Sequence, residues 1–116
     1  MDIYQGWFTL KDDVRDVDFA DRFTAYMERL KADGAILGWR LMRRKLGLGP
    51  DFLHEFHFMV ETDGLAQLDE AFRVVSTRAG EHEALHHCVN SCVEQVFFAL
   101  YRDFPDPQRV RGEERF

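Results

Sequence analysis

The sequence predicts an α+β fold in which one four-stranded antiparallel sheet carries its helices on a single face. Three observations predict it. Hydrophobic residues alternate with period two in four segments, they recur at spacings of three and four in two others, and the segments follow the order β-α-β-β-α-β. That order is the split β-α-β arrangement, and a chain of 116 residues is long enough for one such domain.

The first strand is predicted over Ile3 to Leu10, and a polar break at residues 11–15 separates it from the first helix. Asp16 is expected to cap that helix, with Asp18 in the first turn, where a carboxylate complements the helix dipole. The helix is amphipathic because its apolar residues recur at helical spacing: Phe19, Phe23, Tyr26, Met27 and Leu30. Gly34 is expected to end it.

A long β-hairpin is predicted next, with strands over Ala35 to Leu46 and Leu53 to Thr62 and a turn at Gly47 to Pro50. The second of these strands has two rows of different chemistry. One row is apolar, and the other mixes carboxylate, imidazole and thioether groups: Glu55, His57, Met59 and Glu61. The mixed row suits neither a dry core nor an ordinary wetted surface, so it is the first candidate for a site.

The rest of the chain predicts a second helix, a short further helix or turn, and a last strand. Thr62 or Asp63 is expected to cap the second helix, whose apolar residues are Leu65, Leu68, Phe72 and Val75. The short segment covers Glu81 to Asn90, and the last strand covers Val93 to Tyr101. The domain is therefore expected over residues 1–103, with a polar tail over 104–116. Cys88 and Cys92 are interpreted as small buried apolar residues.

The net charge of −6 and the isoelectric point near 5.3 argue against a nucleic-acid partner and against an anionic membrane surface, both of which need a basic footprint. No apolar run approaches the roughly 20 residues that span a bilayer. The first residues also lack the basic and apolar regions of a secretory signal. These features predict a soluble, cytoplasmic protein.

One face of the predicted sheet has no helix to cover it, and its composition does not suit water. Lys, Glu, Thr and Ser are expected on a solvated face. This face instead carries Trp7, Ile36, Met42, Met59 and Phe97, interspersed with Gln5, Arg40, Arg44, Glu55, His57 and Gln95. One explanation is that this face is solvated and carries a few exposed apolar side chains, which are common on protein surfaces. An apolar patch on a sheet more often marks an interface, so we expect a two-fold homodimer with a small-ligand cavity on the free face.

Three motifs carry a resemblance to a known group: RRKLGLGP at Arg43 to Pro50, LHHCVNS at Leu85 to Ser91 and LYRDFPDP at Leu100 to Pro107. With the order of elements and the free face, they resemble the dimeric α+β barrel superfamily, which has a ferredoxin-like fold, and an uncharacterised family of small bacterial proteins within it. The superfamily includes antibiotic-biosynthesis-type and haem-degrading monooxygenases, muconolactone isomerases and stress-responsive proteins. The resemblance implies a homodimer but no particular reaction, because a shared fold does not imply shared chemistry.

His57 and Glu55 lie two residues apart on one strand, so an imidazole and a carboxylate are expected on the same side. They are candidate acid/base residues, with His87 as a further candidate; the alternative is an interface histidine that the partner satisfies. Ligand contacts are expected from Gln5, Trp7, Arg40, Met42, Met59, Gln95, Phe97, His86 and Asn90. Arg40 begins a basic run that either anchors an anionic group or protects an edge strand from aggregation.

The stretch HEALHH, from His82 to His87, contains the H-E-x-x-H spacing of zinc hydrolases. Gly80 and Glu81 precede it where an apolar helix is usual, and no third ligand follows, so a solvated polar face is the favoured interpretation and no metal is expected. The resemblance to haem-degrading enzymes implies another possibility, with Gln5, Trp7 and His86 or His87 around a haem. The amide there is Gln rather than Asn, and the aromatic lies on a different strand, so no cofactor is expected.

The sequence therefore favours a homodimer of unknown activity that binds a small ligand. The alternative is an enzyme of the cofactor-independent monooxygenase or isomerase type, with His57 or His87 as the acid/base. An enclosed void, large enough for a ligand and lined by converging polar groups, would favour the enzyme.

Overall fold

The computed structural model describes residues 1–110, which form four strands and three helices. Strands β1 (Asp2–Leu10), β2 (Gly38–Arg43), β3 (Phe56–Thr62) and β4 (Val93–Arg102) form one antiparallel sheet in the order β2-β3-β1-β4. The helices are α1 (Asp16–Ala32), α2 (Leu65–Ser76) and α3 (Gly80–Asn90). The predicted β-α-β-β-α-β order is confirmed, and the short segment before the last strand is the helix α3. The predicted tail lies outside the described residues from position 111 onward.

The hydrophobic core lies between the sheet and the helices. It is built by alternate residues of the two central strands together with the apolar stripe of α1: Phe8, Phe19, Phe23, Tyr26, Met27, Leu30, Phe56 and Val60. Phe8 and Phe19 are almost wholly inaccessible, and their ring centroids lie 5.3 Å apart. Such tilted ring pairs add to the free energy of burial because the ring edges meet the ring faces. The predicted core stripe of α1 is confirmed.

Gly6 makes room for this aromatic packing at the middle of β1. It lies opposite Phe58 of β3 and Phe98 of β4 in the register of the sheet. The Phe58 ring lies across Gly6, and an ideally placed Cβ at position 6 would come within 2.3 Å of its Cε1. A glycine inside a strand often marks such a close approach.

The two predicted helix caps are wrong. Helix α1 begins at Asp16 itself, with Arg15 as its N-cap, and the Asp16 carboxylate accepts a hydrogen bond from the neighbouring Val17 N–H. Gly64 is the N-cap of α2. The Thr62 hydroxyl instead donates to the Asp2 carbonyl oxygen at 2.9 Å, which fixes the end of β3 to the start of β1 and leaves the hydroxyl unavailable for capping.

The first predicted hairpin strand is too long at both ends, and the second is too long at its start. β2 begins only at Gly38, and Ile36 lies in the core with 3% of its surface exposed, so its predicted place on the free face is wrong. Period-two alternation fails there because the turn that ends α1, with Gly34 at φ 75°, sets the direction of the Ile36 side chain. β3 likewise begins at Phe56 rather than Leu53.

Residues 44–55 form an ordered loop between β2 and β3. The Arg44 guanidinium donates to the carbonyl oxygens of Pro50, at 2.9 Å, and of Leu53. This arginine therefore lies inside its own loop rather than on the free face where the sequence placed it. The loop exposes three large apolar side chains: Leu46, Leu48 and Phe52.

β4 contains an irregularity opposite the end of β1. The pairing register shifts between Trp7 and Thr9, and Gln95 has a φ of 52°. An extra residue of this kind bends a strand and interrupts its alternation. Cys92 is buried as expected, with the Arg22 guanidinium 3.1 Å from its sulfur, whereas Cys88 is exposed, so its predicted burial is wrong.

No helix within residues 1–110 is both long enough and apolar enough to cross a membrane.

Candidate functional site

One cavity lies between the sheet and the helices, and we call it the helix-side cavity. Its volume is about 190 Å³. Its walls are mainly apolar and come from both layers: Tyr4, Phe23, Phe58, Leu68, Phe72 and Phe98. An apolar cavity of roughly 150 Å³ is enough to hold benzene, so this one accommodates a ligand of one or two rings. This cavity was not predicted from the sequence, since the predicted ligand cavity lies on the free face.

The helix-side cavity is open at the β4 edge of the sheet. Phe98 is 55% exposed, and Phe72 of α2 is 45% exposed, although both side chains line the cavity. Tyr4 lies between them, with ring centroids 5.4 Å from Phe98 and 5.2 Å from Phe72. This aromatic rim gives a ligand an apolar path into the cavity.

Polar groups converge at one end of the helix-side cavity, and we call this end the polar cluster: Tyr26, Glu83, His86 and Asn90. Tyr26, His86 and Asn90 line the cavity, and the rings of Tyr26 and His86 lie 5.8 Å apart. Burial, reinforced by the negative charge of Glu83, raises the pKa of Tyr26 to about 12. Tyr26 is therefore a neutral hydrogen-bond donor at physiological pH.

Glu83 lies on α3 three residues before His86, about one helical turn away. Its Oε2 atom is shielded from solvent and accepts no hydrogen bond from the described residues. The His86 Nδ1 atom approaches this oxygen to 3.9 Å, which is too far for a hydrogen bond. A shielded carboxylate oxygen without a donor has lost its hydration, so it favours any donor or positive charge that comes near it.

The far side of the sheet, its free face, carries a row of stacked rings. His57, Trp7 and Phe97 lie side by side on β3, β1 and β4. The Trp7 ring stacks on the His57 ring with centroids 4.2 Å apart and on the Phe97 ring at 5.3 Å. Met42 of β2 continues the row at the sheet edge. The predicted alternation of these four strands is therefore confirmed at this row.

Gln5 lies in the next row of the free face and is 8% exposed. Its side-chain oxygen accepts a hydrogen bond from His57 Nε2 at 2.9 Å. Desolvation lowers the pKa of His57, so the imidazole is neutral at physiological pH and its Nδ1 remains an acceptor. Met59 and Arg40 occupy the same row as Gln5 on the neighbouring strands.

A second pocket, of about 180 Å³, lies at one end of the free face beside the loop of residues 44–55. Trp7, Met42 and His57 form its sheet side, and Leu48 and His54 its loop side. We call it the free-face pocket. It is shallower than the helix-side cavity, and a molecule seated on the free face would cover it.

The expected pair of His57 and Glu55 does not form. Glu55 lies before the first residue of β3 and accepts a hydrogen bond from Arg43 Nε at 2.7 Å. Arg43 also donates to Asp16 at 2.9 Å. Glu55 and His57 both line the free-face pocket, but the Glu55 carboxylate is bonded to Arg43 and not to the imidazole. Glu55 also lies outside the alternation of β3, because that strand begins only at Phe56.

The other predicted contacts are divided between the two sides of the sheet. Gln5, Trp7, Arg40, Met42, Met59 and Phe97 lie on the free face. Gln95 lies at the β4 irregularity, where its side-chain oxygen accepts from the Thr9 hydroxyl at 3.4 Å. His86 and Asn90 line the helix-side cavity, and His87 is exposed and lines neither cavity.

This division excludes the haem arrangement considered from the sequence. Gln5 and Trp7 project from the opposite face of the sheet to His86, so they cannot surround one planar group. The H-E-x-x-H stretch is separated as well, since His82 Nε2 contacts Asp33 Oδ2 at 2.7 Å, whereas His86 faces Tyr26. Among residues 1–110, no group of three or more histidines, cysteines and carboxylates is placed to hold a metal ion.

Sequence reasoning missed Tyr26 and Glu83. Tyr26 belongs to the apolar stripe of α1 and was assigned to the core, and Glu83 was assigned to a solvated face. One signal was present: a tyrosine in an otherwise apolar stripe carries a hydroxyl that needs a partner when it is buried. Nothing in the sequence placed α3 beside it.

Comparisons with known proteins show the fold. The chain is similar to At3g17210 from Arabidopsis thaliana, with a TM-score of 0.70 and 10% identity over 89% of this chain and 95% of that chain. It is also similar to a mutant of SnoaB, a cofactor-independent oxygenase from Streptomyces nogalater, with a TM-score of 0.63 and 12% identity over 93% of this chain and 97% of that chain. A third similar structure is a dimeric ferredoxin-like protein of unknown function from Bacteroides fragilis, with a TM-score of 0.57 and 19% identity over 88% of this chain and 95% of that chain.

The ferredoxin-like fold expected from the sequence is thus confirmed, and at these identities the likeness carries the fold alone. No curated protein matches the chain. A family model matches residues 1–116, and its description is a family of unknown function, DUF6614. The chain belongs to this family.

Proposed function

We propose that the protein is a homodimer that pairs through its free face and binds a small apolar ligand in the helix-side cavity of each subunit. The observation that carries the ligand proposal is a cavity of ligand size whose polar groups converge at one end. The dimer is supported by the apolar free face, and a similar protein from Bacteroides fragilis is itself dimeric.

The free face suits a partner of the same kind. The ring row of His57, Trp7 and Phe97 is flat, because its members stack with interplanar angles of 6° and 14°. Beside this row, Gln5 Oε1 and His57 Nε2 are already paired with each other, so a partner can cover both atoms without leaving them unsatisfied. A second copy also covers the free-face pocket, whose sheet wall carries residues expected to contact a ligand.

The dimer is tested with Trp7→Glu and Met59→Glu, each of which places a carboxylate at the centre of the free face. We expect both variants to sediment with the 13.7 kDa mass of one chain, and the unchanged protein with twice that mass. The control is Leu65→Glu, which adds the same charge at an exposed apolar residue at the start of α2. Dimeric Trp7→Glu and Met59→Glu proteins with native circular dichroism would contradict the proposed interface.

The ligand site is tested by filling the helix-side cavity from α2. Ala71 is buried and lines the cavity, whereas Ala66 on the same helix is exposed and does not. We expect Ala71→Phe to abolish binding of 2-naphthamide in a calorimetric titration and Ala66→Phe to leave it unchanged. Equal binding by the two variants would show that the probe binds elsewhere.

A second candidate function is proton transfer on a neutral carbonyl compound, an isomerase type of chemistry. The observation that favours it is the row of Glu83, His86 and Tyr26. In this candidate, His86 takes a proton from a carbon next to the carbonyl, Glu83 stabilises the imidazolium, and Tyr26 donates a hydrogen bond to the carbonyl oxygen. The proton then returns from His86 to carbon. SnoaB, a cofactor-independent oxygenase, has the same fold.

The enzyme candidate is separated from simple binding by deuterium exchange into 2-tetralone in heavy water, followed by NMR. Catalysed exchange that His86→Ala removes and His87→Ala retains supports proton transfer, because His87 lies outside both cavities. Exchange at the buffer rate with the unchanged protein supports ligand binding alone.

A further inference from the structure

The charges around the helix-side cavity are unbalanced. Of the described residues that line it, none is a lysine or an arginine. Arg29, on the neighbouring stretch of α1, is bound by Asp33 at 2.9 Å and by Glu81, so its charge is already neutralised. Arg22, one turn before Tyr26 on α1, directs its guanidinium to Cys92 Sγ at 3.1 Å and does not line the cavity. The lining of the cavity therefore has hydrogen-bonding groups but no cation for an anionic ligand.

The polar cluster adds a negative charge to this end of the cavity. Glu83 Oε2 is shielded from solvent and accepts no hydrogen bond from residues 1–110. Glu83 and His86 are one helical turn apart, so a ligand group that contacts His86 lies within about 6 Å of the Glu83 carboxylate. The Tyr26 hydroxyl donates, and the imidazole accepts, so a neutral group that both donates and accepts is matched there.

We propose that the helix-side cavity selects neutral ligands with a hydrogen-bond donor and rejects carboxylates of the same shape, with Glu83 as the residue that determines this specificity. The inference rests on the proposed ligand site, whose chemical class of ligand it names. Glu83 is a positioning residue, since it acts on the ligand through His86 and through its field.

The size of the effect follows from the separation of the two charges. Two carboxylates about 6 Å apart, at the effective dielectric constant of about 20 that suits sites near a protein surface, repel each other enough to weaken binding by about 100-fold. The loss of the ligand's hydration without a compensating cation adds to this factor.

The experiment compares 2-naphthamide with 2-naphthoate, two probes of nearly identical shape that differ in charge, by calorimetric titration at neutral pH. We expect the unchanged protein to bind the amide at least 30-fold more tightly than the carboxylate. Glu83→Gln, which keeps the shape of the side chain and removes its charge, should reduce that ratio at least fivefold. Glu70→Gln on α2 is the control, because Glu70 is exposed and does not line the cavity.

The outcomes are distinct. Equal affinity of the unchanged protein for both probes, or a ratio that Glu83→Gln leaves intact, overturns the charge selection while the ligand site stands. Binding of neither probe overturns the proposed ligand site and this inference with it. A ratio that falls in Glu83→Gln and not in Glu70→Gln supports the assignment.

Discussion

Replacing Gly6 by alanine tests how closely the aromatic layer fits the sheet. An added Cβ would lie 2.3 Å from Cε1 and 2.7 Å from Cζ of Phe58, and both distances are well below van der Waals contact. The Gly6 φ angle is compatible with any residue, so the obstacle is the ring and not the backbone. Phe58 must therefore move away from the sheet, towards the helix-side cavity that it lines.

Two opposing effects determine how much Gly6→Ala lowers the free energy of unfolding. Overpacking a well-filled region costs about 1–3 kcal/mol, and the lower flexibility of alanine in the unfolded chain returns about 0.4–1 kcal/mol. The free energy of unfolding should therefore fall by about 1–2 kcal/mol. With a urea dependence of roughly 1.5 kcal/mol per molar for a small domain, the midpoint of unfolding falls by about 1 M.

Urea unfolding followed by tryptophan fluorescence measures this shift. The matched control is Gly38→Ala in β2, where the new Cβ meets only the mobile end of the Glu61 side chain, so a much smaller shift is expected. The Phe58→Leu variant lacks the ring, so adding Gly6→Ala to it should lower the free energy of unfolding much less than adding Gly6→Ala to the unchanged protein. A double-mutant cycle measures this difference. An equal cost in both backgrounds would refute the assignment of the clash to Phe58.

Two further predictions concern the core and the polar cluster. Phe8→Ala should lower the free energy of unfolding by about 3–5 kcal/mol, because Phe8 is 1% exposed. The control Phe52→Ala, at a residue that is 73% exposed, should change it by less than about 0.5 kcal/mol. Similar losses for the two variants in urea unfolding would contradict the proposed core. The folded-state pKa of Tyr26, near 12, is above its ordinary value of 10.0, so its stabilising contribution is complete below pH 10 and is lost as the pH rises towards 12. An ultraviolet titration should show a late-ionising phenol that Tyr26→Phe removes, and a persisting late phase would show that another tyrosine carries it.

The sequence predicted the elements whose pattern is local and long. The apolar stripe of α1 and the alternation of β1 and β3 follow from periodicity that every residue of those elements shares. Ile36 was misplaced because a period-two pattern was extended across a turn that ends a helix. The pair of His57 and Glu55 failed for the same reason, since Glu55 precedes the first residue of β3.

The helix-side cavity could not be predicted in this way because it depends on where α3 lies. None of the α3 residues is fully buried, so its sequence has no strong apolar stripe to reveal its orientation. Leu85 and Val89 pack against the core, and two ion contacts, Arg29 with Glu81 and Asp33 with His82, join residues about fifty positions apart. This placement puts His86 beside Tyr26, and only the folded chain brings them together.

The alternation of β1 has a consequence for the two halves of the proposed dimer. Tyr4 and Gly6 face the helix-side cavity, while Gln5 and Trp7, their neighbours in the chain, face the partner. A single backbone thickness thus separates ligand from interface. In a free-face dimer, a ligand against Tyr4 and Phe58 and a partner against Gln5 and Trp7 therefore contact opposite sides of the same two central strands.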